Sequence, residues 1–84
     1  MVTVKLFGTF RLDSGLKELQ LEAGSVKDIF PLIMDEVRRL DPQTELTMKD
    51  LKSCVVSLNG RQVGMRAALN DGDLVILVPA VAGG

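Results

Sequence analysis

The hydrophobic period of this sequence changes at Ser25, and that change limits the available folds more than any other feature. Before Ser25, apolar residues alternate with polar ones, the pattern of a β-strand with one buried face. After it they recur at steps of three and four, which is typical of an amphipathic helix; these positions are Val26, Ile29, Phe30, Ile33, Val37 and Leu40. One long helix must therefore pack against strands that precede and follow it.

The predicted helix has recognisable ends and one unfavourable residue. Ser25 is a suitable N-cap, and Asp28 three residues later resembles the second half of a capping box and suits the positive end of the helix dipole. An Asp-Pro pair after Leu40 ends the helix. Pro31 falls beyond the first turn, where proline removes a backbone hydrogen bond. We expect a helix from about Val26 to Leu40 that is kinked or loosened before Pro31.

Two strands are predicted before the helix. The first runs from Val2 to Gly8, with its apolar residues on one face and Phe7 on the polar side. After a loop containing "DSG", the stretch "LKELQLE" alternates again, with Leu19 and Leu21 opposed to polar neighbours. Period-two alternation on both sides of a loop indicates a hairpin.

Further strands are predicted after the helix. "CVVSLNGRQV" indicates two strands joined by a tight turn at Asn59 and Gly60, residues that tolerate positive φ. "LNDGD" is a second turn, and Leu74 to Val78 is apolar on both faces, as in a central strand. The polar segment before Cys54 is weakly patterned, and "MKDL" within it is compatible with a single helical turn.

These elements predict an α+β domain of the β-grasp (ubiquitin-like) type, in which a mixed sheet of about four to five strands wraps one main helix. The domain is predicted to span residues 1–78, and residues 79–84, "PAVAGG", to form a flexible C-terminal tail. With 84 residues the chain can bury one core and little else. An elaborate internal active site is not expected.

Composition excludes several functional classes. The net charge of -1, with both signs interspersed, provides no basic surface for nucleic acid. Apolar runs are too short to span a bilayer, and the first residues lack the features of a signal peptide, so we expect a cytoplasmic protein without membrane contact. Cys54 is the only cysteine, which agrees with a reducing compartment.

Candidates for catalysis are few. The chain has no histidine to activate Cys54, which we interpret as a small core hydrophobe. Asp71 and Asp73 bracket a turn glycine and indicate turn chemistry rather than a calcium site. Ser25 is a helix cap rather than a nucleophile. We therefore predict no catalytic residue, no metal and no bound cofactor.

The C-terminal half resembles a known family. "VSLNGRQV" followed by "LNDGDLVILVPAVAGG" looks like the MoaD/ThiS family of ubiquitin-like sulfur carriers, and the tail is most similar to the MoaD type, the small subunit of molybdopterin synthase. The specific feature is the combination of the Asn-Gly turn, the Asp-Gly-Asp turn and a terminal Gly83-Gly84 at fixed spacing. "VTVKLFGTFRL" and "GSVKDIF" are compatible, so the likeness covers nearly the whole chain.

The resemblance implies a role for the tail. A ubiquitin-activating-type (MoeB/ThiF-like) enzyme would use ATP to adenylate Gly84, and a sulfur donor such as a cysteine desulfurase would then convert it to a thiocarboxylate. The sulfur would serve molybdopterin (molybdenum or tungsten cofactor) biosynthesis on a MoaE-like large subunit. The slim, uncharged residues expected to enter the partner are Pro79, Ala80, Val81, Ala82, Gly83 and Gly84.

The alternation of side chains between the two faces of the last strand predicts a docking surface. If Val75 and Leu77 face the helix, as the resemblance favours, an apolar patch emerges on the opposite face; it would comprise Phe7, Val55, Leu74, Ile76 and Val78. The parity could instead be reversed, or a homodimer could cover these residues.

Other functions stay open at this point. Within the family, Gly84 could supply sulfur for thiazole or tRNA thiolation, or be conjugated to lysines of other proteins. From a different class, the chain could be a β-grasp interaction module with a non-reactive tail, the end being merely a disordered terminus or a cloning remnant.

Overall fold

The sheet has its last strand at its centre. A computed structural model describes residues 1–8 and 16–80. The elements are β1 (Val2–Leu6), β2 (Glu18–Leu21), α1 (Val26–Leu40), α2 (Met48–Lys52), β3 (Cys54–Leu58), β4 (Arg61–Val63) and β5 (Leu74–Pro79). The strands form one five-stranded sheet in the order β2-β1-β5-β3-β4. The predicted α+β architecture of the β-grasp type is confirmed.

β5 is parallel to β1 and antiparallel to β3. In the parallel pair, Val4 is opposite Val75 and Leu6 is opposite Leu77. β5 therefore has a hydrogen-bonded neighbour along each of its two edges. The prediction of a central strand here is confirmed.

The core lies between α1 and one face of the sheet. Val75 and Leu77 are fully buried, as the predicted parity requires. Buried helix residues are Val26, Ile29, Phe30, Ile33, Met34 and Val37. The prediction that Leu40 belongs to the apolar stripe facing the core was wrong, because this residue in the last turn of α1 is 51% exposed. Within the described residues, no helix is both long and apolar enough to cross a bilayer.

The start of α1 is capped differently from the prediction. Ser25 is the N-cap, but its hydroxyl donates to Asp28 Oδ2 (2.8 Å) and makes no cap bond to the helix backbone. The first two helical N–H groups instead donate to the carbonyls of Ala67 and Met65, both at 2.9 Å. The loop that contains Met65 and Ala67 therefore accepts hydrogen bonds from the first N–H groups of α1, which have no partner within the helix.

A capping box does form, at α2. The Thr47 hydroxyl accepts from the Asp50 N–H (3.1 Å), and the Asp50 carboxylate accepts from the Thr47 N–H (3.3 Å). The helical turn suggested by "MKDL" is thus confirmed, but the cap that starts it was not predicted. Two reciprocal bonds allow this five-residue helix to begin without a long apolar stripe.

α1 continues through Pro31 as one element. Pro31 lies on the exposed side of the helix, and so does Lys27, whose carbonyl loses its usual helical donor to the proline ring. Because that carbonyl is on the outer side, water can hydrate it. The core-facing side keeps its packing despite the proline.

Candidate functional site

The candidate site is the end of the sheet where β5 stops. Pro79 is the last residue of β5 and lies opposite Cys54. The Ala80 N–H donates to the Ser53 carbonyl (3.3 Å), so the chain is still attached to the sheet one residue later. The strand thus runs beyond the boundary predicted after Val78. The remaining predicted tail residues lie outside the described part of the chain, and their insertion into a partner stays a prediction; they are Val81, Ala82, Gly83 and Gly84.

A glycine approaches Pro79 from β1. Gly8 has φ of 61°, and a Cβ added there would lie 3.3 Å from Pro79 Cδ. Just before it, the Phe7 N–H donates to the Leu77 carbonyl (3.1 Å). Pro79 has no N–H with which to continue this pairing, so the parallel ladder ends there. Sequence reasoning missed the importance of Gly8 and Ser53, because their roles depend on which strands neighbour β5.

The predicted patch residues share the sheet face opposite the helix. On one side of β5, Val55 pairs with Val78. On the other side Leu6 pairs with Leu77, so the next residue, Phe7, lies beside Val78. These three form an apolar row next to Pro79, with exposures of 43% for Phe7, 39% for Val55 and 43% for Val78. Leu74 and Ile76 are on the same face but only partly exposed.

Polar side chains border this row. Ile76 is two residues before Val78 on the same face of β5, and it lies between Lys5 and Ser57 on the neighbouring strands. Lys5 Nζ is 3.9 Å from Glu18 Oε1, and both side chains are well exposed, so the ion pair contributes little to stability. An apolar centre with a polar rim is the usual composition of a protein interface.

Cys54 is not a nucleophile in this environment. It is partly buried against the core. Burial raises the pKa of the Cys54 thiol to about 11 because the thiolate would lose hydration, so the thiol is protonated at neutral pH. The described residues contain no group of three His, Cys, Asp or Glu side chains placed to hold a metal ion.

The Asn-Gly turn between β3 and β4 and the Asp-Gly-Asp turn before β5 are linked at the other end of the sheet. Asn59 and Gly60 have φ of 51° and 88°, the positive values of a type I′ hairpin turn. The Asn59 side chain donates to Asp73 Oδ1 (3.0 Å) and accepts from the Leu74 N–H (2.9 Å). The Asn-Gly and Asp-Gly-Asp turns are therefore one hydrogen-bonded unit, which holds the start of β5 in place.

The model of the ThiS family matches residues 4–84, which includes the tail. The chain belongs to the ThiS family. The resemblance to ubiquitin-like sulfur carriers of the MoaD/ThiS type is thereby confirmed. Small carriers of the ThiS family are non-catalytic, and Cys54, the one cysteine of the chain, is unsuited to catalysis as described above.

Several solved structures are similar to this ThiS-family chain. The small archaeal modifier protein 1 from Methanosarcina acetivorans is 28% identical, with 99% of this chain and 95% of that chain covered and a TM-score of 0.73. A putative molybdopterin converting factor subunit 1 from Pyrococcus furiosus is 27% identical, with coverages of 95% and 97% and a TM-score of 0.65. A comparison with curated protein sequences finds no match.

A further similar chain was solved in a complex. It comes from the Amycolatopsis orientalis BexX/CysO complex and is 27% identical, with all of both chains covered and a TM-score of 0.63. Structures similar to this ThiS-family chain thus include one in which a chain of this kind is bound to a partner protein.

Proposed function

We propose that this ThiS-family protein carries sulfur as a thiocarboxylate on Gly84 and donates it in molybdopterin biosynthesis. The observation that carries the proposal is the family match, which extends through residue 84 and therefore through the Gly-Gly end. The similarity to a putative molybdopterin converting factor subunit favours this pathway over thiazole or tRNA thiolation.

The proposed chemistry activates a poor electrophile. An oxygen of the Gly84 carboxylate attacks the α-phosphorus of ATP, and pyrophosphate leaves, which gives an acyl adenylate. A hydrosulfide-equivalent nucleophile then attacks the carbonyl carbon, and AMP leaves with the oxygen that made the attack. An activating enzyme of the MoeB/ThiF type would bind ATP, exclude water and align the chain end. A large subunit of the MoaE type would hold the sulfur acceptor.

The attachment of Ala80 limits how far the tail reaches. Gly84 is the fourth residue after Ala80, and four fully extended residues span at most about 14 Å. An activating enzyme must therefore bring its nucleotide close to the end of β5. We propose that it docks on the apolar row of Phe7, Val55 and Val78, which lies directly beside Pro79.

Lysine modification is the second candidate. It is favoured by the similarity to a protein whose name describes it as a small archaeal modifier. Both functions begin with the same adenylate at Gly84 and differ in the nucleophile that accepts the acyl group. An isopeptide between Gly84 and lysines of other proteins would identify this function, whereas copurification with a pterin-binding subunit would support the first.

The test is the intact mass of the protein purified from its native cell. We expect a species heavier by the difference between one sulfur and one oxygen atom, localised to the Gly84 fragment. A variant lacking Gly84 is the control, and it should fold normally and stay unmodified. If the terminus stays unmodified when activating enzyme, ATP and a sulfur source are supplied, the carrier function is wrong and an interaction module with a non-reactive tail takes its place.

A further inference from the structure

Two contacts hold the base of the tail from opposite sides. On the β1 side, Gly8 lies so close to Pro79 that an added Cβ would be 3.3 Å from Cδ and 3.4 Å from Cγ of the ring. On the β3 side, the Ser53 carbonyl accepts the Ala80 N–H. Ser53 is itself fixed, because it ends α2 and its N–H bonds to the carbonyls of Lys49 and Asp50.

We propose that Gly8 is a positioning residue for the tail, acting through Pro79. Its missing side chain leaves room for the proline ring, and the ring sets the direction in which the chain leaves the sheet towards Gly84. This inference rests on the proposed function, since the direction matters only if a partner must align the chain end. A carboxylate displaced by about 1 Å can lose much of its reactivity, because alignment contributes strongly to rate.

A side chain at Gly8 would disturb this arrangement in two ways. Carbon atoms pack best at about 3.5–4.0 Å, so a Cβ would push the Pro79 ring outward. The same push would strain the Ala80 to Ser53 hydrogen bond, which is already 3.3 Å long. In addition, φ of 61° is unfavourable for alanine. Only the first two effects reach the tail.

Gly60 provides a matched control. It also has positive φ, 88°, but an added Cβ there would meet no atom within 4 Å. Gly60→Ala therefore also places a side chain at positive φ, but without the contact to the tail. Both variants should melt at a lower temperature than the unsubstituted protein, and both are assayed well below that temperature.

The assay is ATP–pyrophosphate exchange by the activating enzyme of the source cell. For Gly8→Ala we expect kcat to fall about tenfold with KM unchanged, because the docking row is intact and only alignment is lost. Gly60→Ala should keep kcat. The double variant Gly8→Ala/Pro79→Ala lacks the Cγ and Cδ atoms that an added Cβ would push. Its kcat should equal that of Pro79→Ala alone, because such coupling is expected only between residues in contact.

A second measurement separates this inference from the proposed function. The NMR order parameter of the Ala80 amide should fall in Gly8→Ala and stay unchanged in Gly60→Ala. An Ala80 amide equally ordered in all three proteins, a kcat unchanged in Gly8→Ala, or an equal loss of kcat in Gly60→Ala would overturn the role of Gly8. If the unsubstituted protein supports no exchange at all, the proposed function fails, and the Ala80 order parameter alone decides whether Gly8 positions the tail.

Discussion

Asp73 is the residue on which the two turns depend. One carboxylate oxygen accepts the Asn70 N–H (2.7 Å), and the other accepts the Asn59 side-chain amide (3.0 Å). The Asn70 bond, and then the Asn59 bond, hold the pKa of the Asp73 carboxyl below its ordinary value, because both stabilise the ionised form. The ionised form is therefore the one that joins the turns.

This shift predicts a pH-dependent loss of stability. The contribution of Asp73 is complete above its unfolded pKa of 3.8 and is lost as the pH falls through the lower folded value. Asp73→Asn replaces an acceptor with a donor facing the Asn70 N–H or the Asn59 amide, so it should destabilise the protein at neutral pH. The free energies of unfolding of Asp73→Asn and of the unsubstituted protein are measured in urea at neutral pH and at about pH 2. The difference between them should be smaller in acid.

Asp35→Asn is the control, since it makes the same change of charge at an exposed position of α1. It should not reproduce the effect of Asp73→Asn. A difference between Asp73→Asn and the unsubstituted protein that stays constant from neutral to acid pH would contradict the role of the ionised carboxylate.

The turn positions could be predicted from the sequence, but the bond between them could not. Asn-Gly and Asp-Gly-Asp carry local backbone preferences that are readable in any context. The Asn59 to Asp73 bond exists only because β3 and β5 are neighbours, and that adjacency is a property of the whole sheet. The same holds for Gly8 and Pro79, which meet because β1 pairs with β5.

Among the elements, α1 shows which features of a helix the local sequence pattern can predict and which it cannot. Its bounds, Val26–Leu40, are those predicted, because a long apolar stripe and an Asp-Pro stop are strong local signals. Ser25 is the N-cap residue, as predicted, but the predicted capping box does not form, and the carbonyls of Met65 and Ala67 reach the first N–H groups from a distant part of the sequence. Tertiary contacts of this kind leave no local pattern.

Pro31→Ala should stabilise the protein. Proline in a helix interior costs about 3 kcal/mol relative to alanine, and part of this is offset because proline also restricts the unfolded chain. Since Pro31 is exposed and packs no core, we expect a net gain of about 1–2 kcal/mol in the free energy of unfolding. Chemical denaturation measures it directly.

Lys27→Ala is the matched control, an exposed residue one turn earlier in the same helix. It should change the free energy of unfolding by less than about 0.5 kcal/mol. If Pro31→Ala proves no more stable than the unsubstituted protein, the helix accommodates its proline without cost, and the missing hydrogen bond is fully replaced by hydration.

At the scale of the whole molecule, the sheet has two faces with different uses. One face is covered by α1, and the other carries Phe7, Val55 and Val78. The alternation along β5 left two orientations open, and the family resemblance favoured the one with Val75 and Leu77 inside, which the structure has. The partial cover of Leu74 and Ile76 was not predicted, because it depends on the side chains of adjacent strands.

Val55→Lys tests the docking role of this face. A charge beside Val78, which is at the centre of the apolar row, should raise KM for the carrier in ATP–pyrophosphate exchange by about tenfold, because an unpaired charge buried in an interface weakens binding by at least that much. The melting temperature should change little, since Val55 is 39% exposed.

Leu40→Lys is the control, because Leu40 is also exposed and apolar but lies at the end of α1, on the other side of the sheet. Its KM should match that of the unsubstituted protein. Equal KM values for Val55→Lys and Leu40→Lys would place the partner elsewhere on the molecule.

The central position of β5 has a consequence for biosynthesis. Without β5 the order β2-β1-β5-β3-β4 separates into two hairpins that share no edge. The ribosome makes β5 after every other strand, and its pairing with β1 joins distant parts of the chain, the kind of contact that forms late in folding. A nascent chain therefore cannot complete its sheet before the segment leading to the tail has been made. We expect chains that stop short of β5 to remain unfolded and open to proteolysis, because their two hairpins have no common neighbour.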